Sequence, residues 1–330
     1  MKETNTFNEI DFSNTNIDQF KREVDEGLSN QEKSLPSKYF YDKIGDALFV
    51  KIMHLPEYYV TRSEYEIFKQ QSNGIITALQ LNPDTYFELI ELGAGDGLKT
   101  KELLKALNRE NYTFDYMPVD ISQNALDSLE ADLNIQLPSL SIKKKQGDYF
   151  EVLKSLKENE NPKTILFLGS NIGNMSDEVA THFISELSAN LQEGDKLFLG
   201  VDLIKPASVV LAAYNDNQGV TAAFNLNLLN RINRELEADF KVHTFKHLPE
   251  YDEKDGIAKS YLVSTKTQQV YIAELNKIFD FQEGEKILME ISRKYNDAIL
   301  NTILSKSDFE IKGRLTDSKK YFSNYILERK

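Results

Sequence analysis

Residues 86–92, YFELIEL, run directly into residues 93–97, GAGDG. The apolar run predicts a buried strand. The glycines predict a tight turn at its end, because glycine lets the backbone bend sharply and approach a ligand closely. A helical pattern follows, with Leu103, Leu104 and Leu107 on one face. Strand, glycine turn and helix in this order are typical of a ligand-binding α/β sheet.

The alternation of strand and helix continues through the middle third of the chain. Asp120 closes the second predicted strand, and Ser122 is placed to cap the helix that follows it. Such alternation predicts a doubly wound parallel sheet with helices on both faces. The further predicted strands are residues 114–119, 141–145, 164–169 and 196–201, and a predicted helix at 177–191 precedes the last of them.

The pattern changes near the C-terminus. A helix is predicted at about residues 296–305, followed by strands at 309–315 and 321–328. Residues 316–320 form a short connection that suits an antiparallel hairpin. By analogy, a parallel sheet finished by such a hairpin has the outline of a class I, Rossmann-like methyltransferase.

Two parts of the chain fall outside this core. The expected core comprises residues 69–202 and 295–330, and residues 1–68 and 203–294 are expected to form a second α+β domain for substrate binding. This second domain should contain a helix at 220–239 and a β-hairpin of strands 257–264 and 268–275. We expect it to cover the carboxyl ends of the parallel strands, where ligands bind in open α/β sheets.

Charge and composition exclude several kinds of function. The net charge of −13 disfavours nucleic-acid partners, which need basic surface, and residues 143–145, KKK, are best interpreted as a solvated strand edge. The absence of cysteine rules out disulfides and thiolate metal sites, and the four histidines suggest no metal site. Because the chain has no membrane-length apolar run and no secretory signal pattern, a cytoplasmic location is expected. Separately, the protein is expected to be a monomer.

The glycine turn favours S-adenosylmethionine (SAM) over a dinucleotide. The spacing is G-x-G-x-G, whereas dinucleotide sites use G-x-G-x-x-G. Glu91 and Asp96 add negative charge, which would repel a pyrophosphate but not the sulfonium and ammonium groups of SAM. These features disfavour an NAD-linked oxidoreductase. The alternative for the motif by itself is an ordinary strand–helix loop.

Other polar residues follow the predicted strands. Asp120 can accept hydrogen bonds from both ribose hydroxyls, as it would in nucleotide dehydrogenases as well. Asp148 can accept from the adenine amino group, and Tyr149 can pack on the adenine ring. Lys99, two residues after the turn, is placed to neutralise the carboxylate of the cofactor.

Motifs both inside and outside the core point to one family. The matching blocks are residues 40–45 (FYDKIG), 55–64 (LPEYYVTRSE), 168–174 (LGSNIGN), 213–216 (AYND), 219–225 (GVTAAFN) and 290–295 (EISRKY). Together these blocks resemble the histidine-specific SAM-dependent methyltransferases of ergothioneine biosynthesis, and the resemblance covers about residues 34–315. That family trimethylates the α-amino group of L-histidine to hercynine, with S-adenosylhomocysteine as the second product.

The resemblance implies a role for each matching residue. Tyr41 and Asn174 would be catalytic and would also bind the substrate. The residues implied for the SAM site are Tyr58, Gly93, Lys99, Asp120, Asp148 and Tyr149. The residues implied for the substrate amino and carboxylate groups are Tyr41, Asn174 and Tyr214. The imidazole would be bound by Glu290 and Ser292, and the pocket would be shaped by Thr221 and Phe224.

The residue pattern gives the imidazole site some support of its own. Alternation along residues 286–292 puts Glu290 and Ser292 on the same face of a strand. A carboxylate and a hydroxyl two residues apart can bind both nitrogens of one imidazole. The plainer interpretation of the pair is a solvated strand face. Asn174 is equally consistent with a turn residue, and the tyrosines with core aromatics.

One departure from the family concerns the substrate pocket. Ser260 stands where the resemblance implies an apolar Met facing the imidazole. This leaves open an N-methyltransferase for another amino acid or amine. An alternative of a different class is a SAM-binding regulatory protein without turnover, against which the complete polar set of the substrate site argues.

Overall fold

The computed structural model describes residues 17–147, 149–157 and 160–330, and the chain divides into two compact units. The core unit comprises Pro56–Ala213, Tyr251–Ala258 and Ile291–Lys330. The insertion unit comprises Met1–Leu55, Tyr214–Glu250 and Lys259–Glu290. Residues 56–68, which the sequence analysis assigned to the second domain, thus belong to the core unit.

Helices and strands alternate through the first two thirds of the chain. The helices are α1 (Ile17–Ser29), α2 (Lys43–Met53), α3 (Tyr59–Ala78), α4 (Thr100–Arg109), α5 (Gln123–Gln136), α6 (Tyr149–Leu156), α7 (Asp177–Ala189), α8 (Ala207–Tyr214), α9 (Val220–Glu235) and α10 (Asp297–Leu304). The strands are β1 (Lys33–Ser34), β2 (Phe87–Leu92), β3 (Phe114–Asp120), β4 (Ser141–Ile142), β5 (Lys145–Gln146), β6 (Lys163–Phe167), β7 (Lys196–Asp202), β8 (Phe245–Asp252), β9 (Ile257–Ser264), β10 (Gln268–Ile272), β11 (Lys277–Phe281), β12 (Lys286–Arg293), β13 (Phe309–Thr316) and β14 (Phe322–Arg329). Short 3-10 helices span Ser37–Phe40, Asn171–Asn174, Val242–Thr244 and Ala273–Leu275. None of the described helices is long and apolar enough to cross a membrane.

The core unit is built on one large sheet with the order β13-β14-β7-β6-β2-β3-β4. Strands β2, β3, β4, β6 and β7 pair in parallel, and β14 pairs antiparallel with both β7 and β13. The predicted C-terminal hairpin is therefore confirmed. A parallel sheet closed by this hairpin has the class I methyltransferase fold, as the sequence analysis expected.

Local signals placed the core helices correctly. The Ser122 hydroxyl accepts a hydrogen bond from the Ala125 amide and caps α5. Leucines spaced three and four residues apart make one face of a helix apolar, and this face is buried in both α4 and α5. The buried residues are Leu103, Leu104 and Leu107 in α4, and Leu126, Leu129 and Leu133 in α5.

The third predicted strand, residues 141–145, is interrupted. The structure has two short pieces, β4 and β5, and both pair in parallel with β3. Between them the lysine run turns toward acidic neighbours: Lys143 contacts Asp115 at 2.5 Å, and Lys144 contacts Asp127 at 2.6 Å. Two of the three lysines are therefore paired with acidic side chains of the chain itself.

The insertion unit contains most of a four-stranded sheet of order β1-β12-β9-β8 and the separate pair β10-β11. The predicted hairpin of residues 257–264 with 268–275 is wrong, because β9 pairs with β12 and β8 while β10 pairs with β11. Asn276 has a φ of 47°, a left-handed conformation that asparagine tolerates, and it makes the turn from β10 to β11. This turn residue was the missed signal.

The N-terminal segment is part of the insertion unit. Lys33 and Ser34 pair in parallel with β12, and the Phe20 and Tyr39 rings lie 4.4 Å apart. The Arg231 guanidinium of α9 lies over both rings and donates a 3.0 Å hydrogen bond to the Tyr39 carbonyl. A cation shared by two aromatic rings therefore fastens α1 and the segment after it to α9.

Candidate active site

The glycine turn after β2 has the backbone that a close ligand approach requires. Gly93 has a φ of +75°, and its amide donates a 2.8 Å hydrogen bond to the Val119 carbonyl of β3. A Cβ at this position would lie 2.5 Å from the Tyr149 hydroxyl and 3.2 Å from the Asn171 amide nitrogen. Both backbone strain and lack of space therefore require glycine here.

Asp120 lies beside this turn. One of its carboxylate oxygens accepts from the Gly95 amide at 3.1 Å, and the other accepts from the Ser122 amide at 2.9 Å. The side chain is half-buried, so its remaining lone pairs can be reached from outside. This is the environment expected of a carboxylate that receives two ribose hydroxyls.

Tyr149 begins α6 with its hydroxyl close to Gly93. Its ring lies 5.7 Å from that of Phe167 and 6.3 Å from that of Phe183. The structure therefore brings Gly93, Asp120 and Tyr149, three of the predicted SAM-site residues, together at the carboxyl ends of the parallel strands. Asp148 lies outside the described residues.

Glu91 has a different place from the one expected. Its side chain is 2% exposed and accepts hydrogen bonds from the Thr100 hydroxyl at 2.6 Å and the Tyr116 hydroxyl at 2.5 Å. The expectation that it offers charge to the ligand is wrong, because the carboxyl group joins β2 to α4 and β3. Burial raises the pKa of Glu91 to about 7, although the two hydroxyls and Lys99 oppose the shift.

Lys99 is paired within the core unit. Its ammonium lies 2.5 Å from a carboxylate oxygen of Glu64, a fully buried residue of α3. The same oxygen accepts from the Gly169 amide at 2.8 Å, and the other accepts from the Asn324 side-chain amide at 2.8 Å. Sequence reasoning gave Glu64 no role, although a carboxylate within an apolar helix face is a visible signal.

The loop after β6 contains two asparagines with different surroundings. Asn174, predicted to hold the substrate, ends the 3-10 helix Asn171–Asn174 and is exposed. Asn171 has its amide beside both Gly93 and Gly169. The sequence analysis gave Asn171 no role, although the residue lies beside the glycine turn. Tyr58, half-buried, lies at the N-terminal end of α3.

Ser292, predicted to bind the imidazole, is buried in the core unit. Its hydroxyl accepts a 2.8 Å hydrogen bond from the Lys294 ammonium. Glu290, two residues earlier on β12, is half-buried. Whether the two side chains share one substrate remains a prediction.

The other predicted substrate residues belong to the insertion unit, and the structure groups several of them. Tyr41 is 40% exposed, and its ring packs edge-on against Phe224 at 5.7 Å. The Tyr214 carbonyl is 2.9 Å from the His247 ring nitrogen Nε2. Thr221 lies in the first turn of α9; its side chain is buried, and its amide donates a 2.7 Å hydrogen bond to Asp216.

Ser260 lies on β9 among buried positions that alternate along the strand. Its side chain is fully buried, and its hydroxyl also has no hydrogen-bond partner among the described residues. An unpaired buried hydroxyl costs about 1–3 kcal/mol unless water or a ligand reaches it. Serine at position 260, in place of the apolar residue that the resemblance implies, therefore makes this part of β9 more polar.

Known proteins are similar in sequence to this chain over most of its length. The family described as histidine-specific methyltransferase, SAM-dependent, matches residues 20–329. A histidine N-alpha-methyltransferase of Mycolicibacterium smegmatis is 38% identical, covering 83% of this chain and 84% of that protein. One of Mycobacterium tuberculosis is 37% identical over the same shares. A solved SAM-dependent methyltransferase from Clostridium acetobutylicum aligns at 14% identity and a TM-score of 0.44, over 80% of this chain and 92% of that one.

The chain belongs to the histidine-specific SAM-dependent methyltransferase family. It is a methyltransferase whose cofactor is SAM, and the predicted enzyme class is confirmed. The residues present fit this cofactor. A Cβ-free turn leaves room at Gly93, and Asp120 offers acceptors at the end of the neighbouring strand.

Replacing Glu64 by Gln tests whether the buried carboxylate organises the SAM site. Without its charge, Lys99 loses its ion pair and the Gly169 backbone loses a charge-assisted acceptor. We expect the Kd for SAM, measured by calorimetry, to rise about tenfold, which corresponds to ~1.4 kcal/mol. Glu66→Gln, two residues along α3, is the matched control and should bind SAM normally, since its carboxylate contacts the Ser318 amide. Equal affinities in the wild type and Glu64→Gln would contradict this role.

The raised pKa of Glu91 makes stability depend on pH. Because the folded protein holds this proton up to about pH 7, against an ordinary pKa of 4.5, the free energy of unfolding falls as pH rises between these values. Glu91→Gln removes the titrating group. We expect the wild type to lose roughly 2–3 kcal/mol more than this variant between pH 5 and pH 8. Urea unfolding at both pH values measures the difference, and parallel losses would refute the assignment.

Proposed function

We propose that this enzyme methylates the α-amino group of L-histidine three times to give hercynine. The observation that carries the proposal is the 38% identity to a histidine N-alpha-methyltransferase over most of both chains. The β12 face with Glu290 and Ser292 adds support. A carboxylate and a hydroxyl spaced in this way match the two nitrogens of an imidazole.

The residues of the chain mainly align and deprotonate the substrate amine. SAM supplies an electrophilic methyl group on a sulfonium, and in-line displacement needs a neutral amine. Tyr41, whose side chain is 40% exposed, or a water beside it accepts the ammonium proton. Asn174 and Tyr214 hold the amino and carboxylate groups, so that most of the rate enhancement comes from alignment.

Repeated transfer needs an anchor that does not depend on the amine. The amine loses its hydrogen-bond donors as methyl groups accumulate, whereas the carboxylate and the imidazole keep their contacts. A neutral amide such as Asn174 adds no charge of its own beside the developing quaternary nitrogen. The partner we propose is accordingly a free amino acid rather than a nucleic acid or membrane, and a monomeric state and a cytoplasmic location remain predictions.

A second candidate substrate is favoured by one observation. The buried, unpartnered hydroxyl of Ser260 makes its surroundings more polar than the apolar residue implied by the family resemblance. An amino acid or amine whose side chain offers a hydrogen bond at that position would satisfy this hydroxyl. Methylation of such a compound in preference to histidine is the alternative function.

The decisive experiment is a mass-spectrometric assay of the purified protein with SAM and each common amino acid. We expect a product that carries three added methyl groups with histidine, and no product with the other amino acids. Transfer to another amino acid in preference to histidine would support the alternative. Binding of SAM without turnover of any amine would favour a regulatory protein.

Glu290→Ala tests the imidazole contact. Loss of the carboxylate removes the acceptor for the ring N–H, so we expect kcat/KM for histidine to fall at least about 100-fold, with the preference for histidine reduced. Glu283→Ala, an exposed carboxylate before β12, is the control. Competition assays with mixed amino acids measure the preference. An unchanged preference for histidine would remove Glu290 from the imidazole site.

A further inference from the structure

A buried cluster of charged and polar side chains lies at the carboxyl end of β7. Asp202 is fully buried, and one of its carboxylate oxygens is 2.9 Å from the Lys294 ammonium and 2.8 Å from the Tyr59 hydroxyl. The other oxygen accepts from Lys205, whose ammonium also donates to the Tyr59 hydroxyl at 3.0 Å. All four residues belong to the core unit, and none of them has yet been given a role.

Backbone pairing explains why these residues meet. The Tyr295 amide donates to the Asp202 carbonyl at 2.8 Å, and the Ile204 amide donates to the Tyr295 carbonyl at 2.9 Å. The chain beyond β12 therefore runs beside the chain beyond β7. This pairing places Lys294 next to Asp202, and directly after the strand that carries Ser292.

Lys294 determines how Ser292 can form hydrogen bonds. Lys294 is 1% exposed, Ser292 is 6% exposed, and the ammonium donates to the hydroxyl oxygen at 2.8 Å. An ammonium can only donate, whereas a hydroxyl can both donate and accept. Since the serine oxygen accepts from Lys294, its own proton points away from the lysine and is available to a ligand.

The two lysines also favour the ionised form of Asp202. Burial alone would raise the pKa of Asp202, but the Lys294 and Lys205 ammonium groups outweigh burial and lower it. The cluster therefore holds one carboxylate against two lysines. Burial lowers the pKa of Lys205 to about 8, so this lysine still carries its proton near neutral pH.

Other titratable groups lie near the cluster and near Ser292. Glu290, on the same strand as Ser292, is the nearest carboxylate in sequence and would by itself attract a cationic ring. The groups with electrostatic effects on the cluster, or on Tyr251 beside it, are Asp317, Glu253, Tyr59 and Tyr251.

We infer that Lys294 is a positioning residue that fixes Ser292 as a hydrogen-bond donor, so that the site selects a substrate ring with one unprotonated nitrogen. This inference rests on the proposed function, in which Ser292 contacts the imidazole. With Glu290 as the acceptor and Ser292 as the donor, the strand matches neutral imidazole and rejects both imidazolium and a ring that lacks an acceptor nitrogen. Rejection follows because a buried donor left unpaired is costly.

The test compares histidine with an analogue in which pyrrole replaces imidazole. Pyrrole has one N–H and no basic nitrogen, so the ring of the analogue does not titrate. Titrations of the enzyme that affect both substrates alike therefore cancel in the ratio of kcat/KM for histidine to kcat/KM for the analogue. We expect this ratio in the wild type to fall about tenfold per pH unit below the imidazole pKa of about 6.5. In Lys294→Met we expect the ratio at neutral pH to drop at least about tenfold and its fall at acid pH to disappear.

Lys205→Met is the matched control. It removes a buried lysine that bonds the same carboxylate but does not contact Ser292, so its ratio should follow the wild-type profile. A wild-type ratio that is flat, or that rises toward acid pH, would overturn the inference even if Lys294→Met fails to fold. The inference would also fall if the Lys294→Met profile matched that of the wild type. Absence of histidine turnover by the wild type would instead overturn the proposed function, and the inference with it.

Discussion

The core unit depends on a buried carboxylate that must be satisfied. Glu64 is fully buried on α3, and an unpaired charge in that position would cost several kcal/mol. Its partners are Lys99, just before α4, Gly169 after β6, and Asn324 on β14. A Cβ at Gly200 of β7 would overlap the carboxylate, so that strand needs glycine at this position. One negative charge thus connects α3 to the start of α4, to the loop after β6 and to β14, and it packs closely against β7.

Helix α3 links this ion pair to the second buried cluster. Tyr59, at its first position, bonds Asp202, while Glu64 lies five residues further along the helix. The two clusters differ in charge: Glu64 and Lys99 balance each other, whereas Asp202 faces two lysines. The first therefore suits a structural role beside the cofactor turn. In the second, Lys294 also donates a hydrogen bond to Ser292. This division also explains why residues 56–68 belong to the core unit and not to the insertion.

Features set by neighbouring residues could be predicted from the sequence. The strand–turn–helix alternation, the Ser122 cap and the C-terminal hairpin each depend on a few adjacent positions, and all were placed correctly. Contacts between distant segments could not be predicted. Glu64 and Asn324 are 260 positions apart, and no local pattern connects them. Likewise β9 has the alternation of a hairpin strand, yet its partners are decided by tertiary packing. Part of the predicted site could also be predicted from local patterns. Gly93, Asp120 and Tyr149 each follow a strand, and they converge because parallel strands end at one edge of the sheet.

Two buried serines differ in whether the hydroxyl already has a hydrogen-bond partner within the protein. Ser292 already receives a hydrogen bond from Lys294, so its remaining hydrogen-bonding capacity is fixed before any ligand arrives. Ser260 is buried without a partner among the described residues, so its hydroxyl can turn to suit whichever group reaches it. A hydroxyl whose proton direction is already fixed discriminates strongly between ligands, because a ligand without an acceptor leaves it unsatisfied. A hydroxyl that can rotate discriminates between ligands only weakly. Under the proposed function, selectivity for the substrate ring would therefore depend more on Ser292 and Lys294 than on the divergent Ser260. A serine at position 260 is then compatible with histidine as the proposed substrate.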